Sequence, residues 1–459
     1  MAEQFEILEK ALLNMLEEKK YAALRDLLVV MNPIDVSTLF RDLEEDRIPL
    51  LFRLLPKELA AETFVEMETE DQELLIRSFS DNELKEIVDE LYVDDAAALI
   101  EEMPANVVKR ILKQADPEMR QSINQILRYP ENSAGSIMTT EYVSLRPNMT
   151  VEEAILRIRR QGVDKETIYT CYVTASDRRL LGLVSVKDLL LAESDELTIK
   201  DIMFTNLISV TTHTDQEEVA RMLSKYNFLA LPVVDGENRM VGIVTFDDAM
   251  DIMEDEATED MELMGGMLPS EKTYMRSSVF ELFKNRIPWL MLLMVSATFT
   301  GQIMTAFEDA LAAQIALSAF IPMLMGTGGN SGSQSSVTVI RGLSLGELRF
   351  SDVGAVLWKE LRTAFLCGIT LAVVCFVKIW LIDRMLFGNT EITLMVDLVV
   401  CLALCVTVVL AKVVGCLLPI GAKAIGLDPA VMASPFISTI VDALSLLVYF
   451  LFAKSLLGV

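Results

Sequence analysis

Asp442 lies near the middle of the apolar segment PFISTIVDALSLLVYFLF, with almost no other charge for a dozen residues on either side. Ser438 and Ser434 precede it by four and eight residues, so on a helix the three share one face. A carboxylate at bilayer depth is costly, and in membrane segments it marks an ion or proton path. A second polar interruption is PMLMGTGGNSGSQSS, Pro322 to Ser336, which contains Asn330. Its small residues suit close helix packing, and Asn330 with exposed carbonyls suits the lining of a wet cavity. Between the two stands GLDPAV, in which Asp428 precedes a proline suited to a helix start. Together these residues point to cation transport.

Acid is concentrated again just before the apolar half. TFDDAMDIMEDEATEDMELMGG reads as a helix stopped by Gly265 and Gly266, and it carries Asp247, Asp248, Asp251, Glu254, Asp255, Glu256, Glu259 and Asp260. Spacings of three and four place Asp248, Asp251 and Asp255, or Glu256, Glu259 and Asp260, on common faces. Like charges so close destabilise a helix unless something neutralises them. Hard divalent cations do so through oxygen ligands, Mg2+ through a few carboxylates and retained water. A solvated linker is the alternative, but a position immediately before the membrane favours a gate.

The chain that positions these groups is divided in charge. Residues 286–459 carry ten basic and ten acidic residues, so the other 30 and 57 place the whole net charge of −27 in the first 285. Such a domain repels nucleic acid and attracts cations. The neutral part offers five spans, at about 287–307, 315–340, 355–387, 393–418 and 430–457, each long enough for roughly 30 Å of hydrocarbon. The acidic first residues lack the pattern of a cleavable signal, so the first half is expected in the cytoplasm. Lys284, Arg286, Arg341, Arg349, Lys359, Arg362, Lys412 and Lys423 are read as flanking the cytoplasmic ends. Glu308, Asp309, Asp383, Arg384 and Glu391 lie on the opposite side, which puts the C-terminus outside, with Lys454 as an exception. Five of the six cysteines fall in the apolar half without a CxxC pair, and one His cannot complete a zinc set, so they read as reduced core residues.

Residues 1–130 repeat every twelve positions. Leu43, Leu55, Met67, Phe79, Leu91, Met103 and Ala115 hold one phase, Phe40, Phe52, Phe64, Ile76, Val88, Ile100 and Leu112 a second, and Leu39, Leu51, Thr63, Leu75, Ile87, Leu99 and Ile111 a third. This predicts short helices that bury their faces only against neighbours, a helical superhelix whose surface is free to carry charge. From about 136 to 256 a mixed α/β pattern occurs twice, sixty-five residues apart, ending in GLVSVKD and GIVTFDD. It resembles a pair of CBS domains, βαββα modules that commonly bind adenine nucleotides. The resemblance points to Ser185, Asp188, Thr245 and Asp248 for ATP or a relative, although these residues also suit helix caps.

The order of parts, with GTGGNSG and LDPAVMASPFISTIVD, resembles the MgtE family of bacterial magnesium channels over essentially the whole chain. The resemblance implies a multidomain protein. Residues 1–130 would be an α-helical superhelical N domain that senses Mg2+, 136–200 and 201–256 an α/β CBS-domain pair, 246–270 a long acidic connecting helix, and 275–459 a five-helix transmembrane domain. It implies a homodimer, not an enzyme, that takes up Mg2+ through a pore on the two-fold axis. Asp442, Asn330, Ser438 and Asp428 would serve the pore. Glu62, Asp94, Asp95, Glu217, Asp248, Asp251, Glu256, Glu259 and Asp260 would bind cytosolic Mg2+ and hold the pore shut. Asn227, Ser333 and Ser434 depart from relatives, with Asp possible at the first and Asn common at the others. Broader divalent transport, an ion-coupled carrier and a CBS-regulated chloride channel remain as alternatives. An intramembrane aspartyl protease using Asp397 with Asp442 lacks its GxGD pattern.

Overall fold

The computed structural model describes the chain except residues 1, 42, 271, 273, 389–391, 433 and 459, and the side chains of residues 2–7, 9 and 434 also lie outside that description. The expected loop acid Glu391 and the expected stripe residue Ser434 are therefore outside what is described. Two compact units are present, Met1–Met253 and Glu254–Val459.

Among the described residues the first unit opens with ten helices, α1 (Ala2–Glu17) to α10 (Pro117–Ile126), most of eight to ten residues. Helices so short are marginal alone, so each needs neighbours. The twelve-residue phases supply them: Phe40, Phe52, Phe64, Ile76, Val88 and Ile100 are buried in one continuous core, with Leu39, Leu51, Leu75, Ile87, Leu99 and Ile111. Caps fix the turns. Ser80 closes a capping box with Glu83, and the Asp116 side chain accepts from the Met119 N–H. Arg53 bonds Glu83 at 2.7 Å, and Arg110 donates to the carbonyls of Ile76 and Phe79, tying one repeat to the next.

The doubled pattern follows. β1 (Tyr142–Leu145) runs parallel to β2 (Thr167–Thr174), which is antiparallel to β3 (Leu180–Ser185); α11 (Val151–Gln161) makes the crossover and α12 (Val186–Leu190) follows β3. After α13 (Ile199–Ile202), β4 (Val210–Thr211), α14 (Gln216–Tyr226), β5 (Ala230–Val234) and β6 (Met240–Thr245) repeat that order. The glycine that opens each closing motif has a steric cause. A Cβ on Gly242 would stand 2.6 Å from the Thr139 carbonyl oxygen, and one on Gly182 3.1 Å from that of Phe204. The α15 helix (Phe246–Met264) leaves directly from β6 and runs past the boundary between the units.

The second unit contains α16 (Val279–Ala306), α17 (Glu308–Ala313), α18 (Ile321–Ser344), α19 (Val353–Lys378) with a π-helical continuation at Ile379–Leu386, α20 (Leu394–Ala424) and α21 (Ser434–Leu457). Among the described residues four segments are long and apolar enough to cross a membrane: Val279–Ala306, Phe350–Leu386, Leu394–Ala424 and Pro429–Leu457. The expected span at 315–340 departs from this. Its first residues form a 3-10 turn, Ile315–Phe320, and α18 has the length, 24 residues, while its Gly, Ser and Asn content leaves it too polar to qualify. Lys412 is also a correction. Read as bordering a cytoplasmic loop, it lies well inside α20 and is 5 % exposed, because Ser335 and Glu360 on neighbouring helices receive its ammonium. All six cysteines are free.

Candidate cation sites

In the second unit the glycines of α18 form a contact face. A Cβ on Gly329 would come 3.2 Å from Ser438 Oγ, and one on Gly328 would come 2.8 Å from Ser445 Oγ and 2.9 Å from Val441 Cγ1, all on α21. These are the i−4, i−1 and i+3 neighbours of Asp442, so the α18–α21 contact brackets that carboxylate. Asp442 is half-buried, whereas Asn330 on α18 is exposed.

The other acids of the long helices have partners. Glu281 caps α16 and pairs with Lys272 at 3.3 Å. Glu360 accepts from Ser335 at 2.6 Å and stands 3.9 Å from Lys412. Asp383 meets Lys378 at 2.8 Å, and Asp397 meets Arg384 at 2.9 Å. Among the described residues Asp442 alone of this set has neither ion pair nor hydrogen bond. An unpaired carboxylate inside an apolar helix is a place for a cation from outside the chain.

Within the first unit lies a different assembly. Asp94 and Asp95 open α8 (Val93–Glu102), where the positive helix end favours acids. Asp94 Oδ1 is sealed from solvent without a hydrogen-bond partner, and so is Oε2 of Glu166, the residue before β2. Burial, then the charges of Asp95, Asp248 and Glu166, push Asp94 well above the usual carboxylate range. Burial, then Asp248, Glu66, Asp247 and Glu141, push Asp95 up to about 7. Glu166 is pushed up to about 8 by burial, then by Asp248, Asp95, Asp247 and Glu141. Asp248 is raised by burial against the opposing hydrogen bond that Thr245 donates to it. Backbone pairing explains the meeting of two of these groups: the Glu166 N–H donates to the Glu141 carbonyl at 3.0 Å, where the β1–β2 ladder begins.

Sequence reasoning missed Glu66, Glu141 and Glu166. Glu62 on α5 (Lys57–Val65) and Glu66, one turn later, are both exposed, but it is Glu66 that raises Asp95, and its own carboxyl is raised by partial burial and then by Asp251. Only the four-residue spacing could have suggested it. Glu217 pairs with Arg221 on its own helix at 3.2 Å.

The later acids of α15 gather in the second unit. Burial and then Asp428 raise Asp260, which accepts from Ser344 Oγ at 3.2 Å, and burial followed by Glu256, Asp428 and Asp260 raises Glu259. Asp428, expected with the pore residues, thus stands with the connecting-helix acids, and its Oδ1 accepts from the Ala430 N–H at 2.6 Å. Leu263 and Met264 pack with Ile340 and Ala430 at the end of this helix. Gly266, with φ +71°, ends it where a side chain would collide with the Trp289 ring.

The four residues expected at a nucleotide bind one another. Ser185 Oγ donates to Asp188 Oδ2 at 2.6 Å and accepts from the Asp188 N–H at 3.1 Å, while Thr245 Oγ1 donates to Asp248. Ser185 and Asp188 form the capping box of α12, and Asp248 belongs also to the acid cluster around Asp94.

Long apolar helices in which, among the described residues, Asp442 is without a partner, joined to paired α/β modules and a helical domain with buried acid, define a membrane protein that handles cations. Profile comparison agrees: a profile described as a divalent cation transporter matches residues 321–452, the MgtE intracellular N domain matches 31–132, and the CBS domain matches 134–195 and 199–255. The magnesium transporter MgtE of Thermus thermophilus is 36 % identical over 456 residues, 98 % of this chain and 99 % of that one. That of Bacillus subtilis is 32 % identical over 95 % of this chain and 94 % of its own. The chain belongs to the MgtE family. Among solved structures it is similar to the cytosolic domain of the Mg2+ channel MgtE in complex with ATP (38 % identity, TM-score 0.51, 53 % of this chain and 99 % of that one). It is also similar to the soluble part of a magnesium transporter (30 % identity, TM-score 0.52, 55 % and 99 %).

Proposed function

We propose that the chain is a homodimeric Mg2+ channel, closed when cytosolic Mg2+ occupies its acid clusters. The observation that carries the transport site is the isolation of Asp442 beside Glu360, Asp383 and Asp397, each of which has a basic partner. Hydrated Mg2+ sheds water reluctantly, so two symmetry-related Asp442 carboxylates contacting it through its water, with Ser438 and Asn330 nearby, suit a selective site. In this arrangement α18 is the fifth span, polar because it lines the path. The soluble half is cytoplasmic and the C-terminus lies outside.

For the sensor, Asp94, Asp95, Glu166 and Asp248 would hold one ion, with Glu66, Glu141, Asp247 and Asp251 adding negative charge. Glu256, Glu259, Asp260 and Asp428 form a second candidate. The sealed, unpartnered oxygens of Asp94 and Glu166 fit a hard cation, since no hydrogen bond reaches those two atoms. Among the described residues no three acids are already set as a metal cage, so an ion has to draw them inward. That need makes binding a conformational event: without the ion the carboxylates repel, and with it the compact state is favoured by the difference in affinity. ATP is a second ligand, supported by the ATP complex of the similar cytosolic domain; calorimetric titration of the full protein with ATP tests it.

Dye-reported Mg2+ entry into liposomes tests the transport site. Asp442→Ala should abolish entry while leaving the dimer intact, and normal entry would remove Asp442 from the pore. Single-channel recording separates a channel from a carrier, and competition by Mn2+ and Co2+ sets the breadth. A chloride path is disfavoured by the engagement of Lys378, Arg384 and Lys412 with carboxylates.

A further inference from the structure

Lys412, Ser335 and Glu360 take no part in the sites above, yet they form a closed network at the meeting of three helices. The Lys412 Nζ on α20 donates to Ser335 Oγ on α18 at 3.2 Å and stands 3.9 Å from Glu360 Oε2 on α19. Ser335 Oγ donates to that same oxygen at 2.6 Å. Lys412 is 5 % and Ser335 2 % exposed, so water does little to solvate the charge. Three residues along each helix, Gly415 meets Gly332 so closely that a Cβ on Gly415 would collide with the Gly332 carbonyl. The two helices are thus fixed in register beside the network.

A carboxylate with a neighbouring hydroxyl is an oxygen set of the kind a hard cation takes. Here an ammonium, covalently tied to α20, fills it. The location matters because α18 is shared: Gly329 and Gly332 of the same helix pack on Ser438 and Ile437 of α21, the helix that carries Asp442. An unpaired carboxylate at Glu360 would therefore be a second cation-binding charge one helix away from the first.

We propose that Lys412 is a tethered counter-ion that occupies the Glu360–Ser335 site and so keeps Asp442 the single carboxylate open to the permeating ion in each subunit. Lys412 is on this account a specificity-determining residue that acts through Glu360. The inference rests on transport at Asp442. Removing one member of a buried charge pair leaves the other uncompensated, which is strongly unfavourable. In Lys412→Met the Glu360 carboxylate takes a divalent ion from the path instead and holds it.

The test is concentration-dependent Mg2+ entry into liposomes for the wild type, Lys412→Met, Glu360→Gln, the double variant and Asp442→Ala, each checked for an intact dimer. Lys412→Met should lower both the half-saturating Mg2+ concentration and the maximal flux by about tenfold, since an ion held by an extra buried carboxylate binds tighter and leaves more slowly. The Lys412→Met/Glu360→Gln double variant should return both to within about twofold of wild type, because no buried charge is left unpaired. Glu360→Gln should reduce maximal flux without lowering the half-saturating concentration. Wild-type behaviour of Lys412→Met, or a double variant as impaired as Lys412→Met with its dimer intact, would overturn the proposal and leave Lys412 a packing residue. Failure of Asp442→Ala to reduce entry would instead overturn the transport site itself, whatever Lys412 does.

Discussion

The two halves of this molecule treat negative charge in opposite ways. In the cytosolic unit Asp94, Asp95, Glu166 and Asp248 crowd together without a cation, and burial with mutual repulsion lifts all four carboxyls. In the membrane unit Glu360, Asp383 and Asp397 are each matched to Lys or Arg, and Asp442 is left over. Water explains the contrast. A partly buried acid cluster in a soluble domain can take up protons until an ion arrives, but inside an apolar bundle an uncompensated charge is far more costly. The soluble half tolerates a reservoir of unsatisfied acid, whereas among the described residues within the long apolar helices Asp442 is the carboxylate left without a partner.

Giving Asp442 a partner would erase the contrast and should have the largest effect. Ser438→Lys places an ammonium one helical turn before it, and Mg2+ entry should fall by about 100-fold, as an internal ion pair replaces the cation site. Undiminished entry with an intact dimer would show that the unpaired state of this acid is irrelevant.

The converse change removes charge from the reservoir. Asp94→Asn with Asp95→Asn and Asp248→Asn should abolish the Mg2+ dependence of protease protection in the full protein, leaving transport at low Mg2+ within about twofold, since these groups lie outside the pore in the proposed mechanism. Protection that still rises with Mg2+ as in the wild type would place the sensor elsewhere.

How far these sites could be read from the sequence follows from the range of the interactions that build them. The twelve-residue phases are local, and Phe52, Phe64 and Ile76 are buried where that period puts them. The doubled α/β pattern is visible for the same reason, even to Gly182 and Gly242, whose spacing repeats although its steric cause lies in another segment. Glu141 and Glu166 were not legible, because only parallel pairing of β1 with β2 brings them together. Lys412 was misjudged because a charge near the end of an apolar run reads as a membrane border; its counter-charge, Glu360, is fifty-two residues away. The α18 helix shows the limit of hydropathy, since the residues that make it useful make it look less like a span.

Proton competition offers a graded version of the charge test. Asp95 near 7 and Glu166 near 8 have carboxyls raised in the folded state, so the compact metal-free cluster is stabilised at low pH, fully below their unfolded values near 4. That stabilisation is lost as pH rises through 7 to 8, where the ionised groups repel and become metal ligands. The Mg2+ concentration giving half-maximal protease protection should therefore drop about tenfold from pH 6 to pH 8.5, and little further above it. A flat profile would mean that these groups are already ionised or not involved.

The finest distinction lies within the cytosolic unit, between an acid that has a partner and one that does not serve a cation of its own chain. Glu217 is held by Arg221 at 3.2 Å on α14, whereas Glu66 is raised by burial and then by the charge of Asp251, and itself raises Asp95. A surface i,i+4 pair contributes little, so Glu217→Gln should change the Mg2+ requirement by less than about twofold. Glu66→Gln removes a negative charge that raises Asp95, and it should shift the requirement by about three- to fivefold upward, because the incoming ion loses more attraction than the cluster loses repulsion. Equal effects from the two substitutions would mean that total acidity, rather than its placement against buried carboxylates, sets the response.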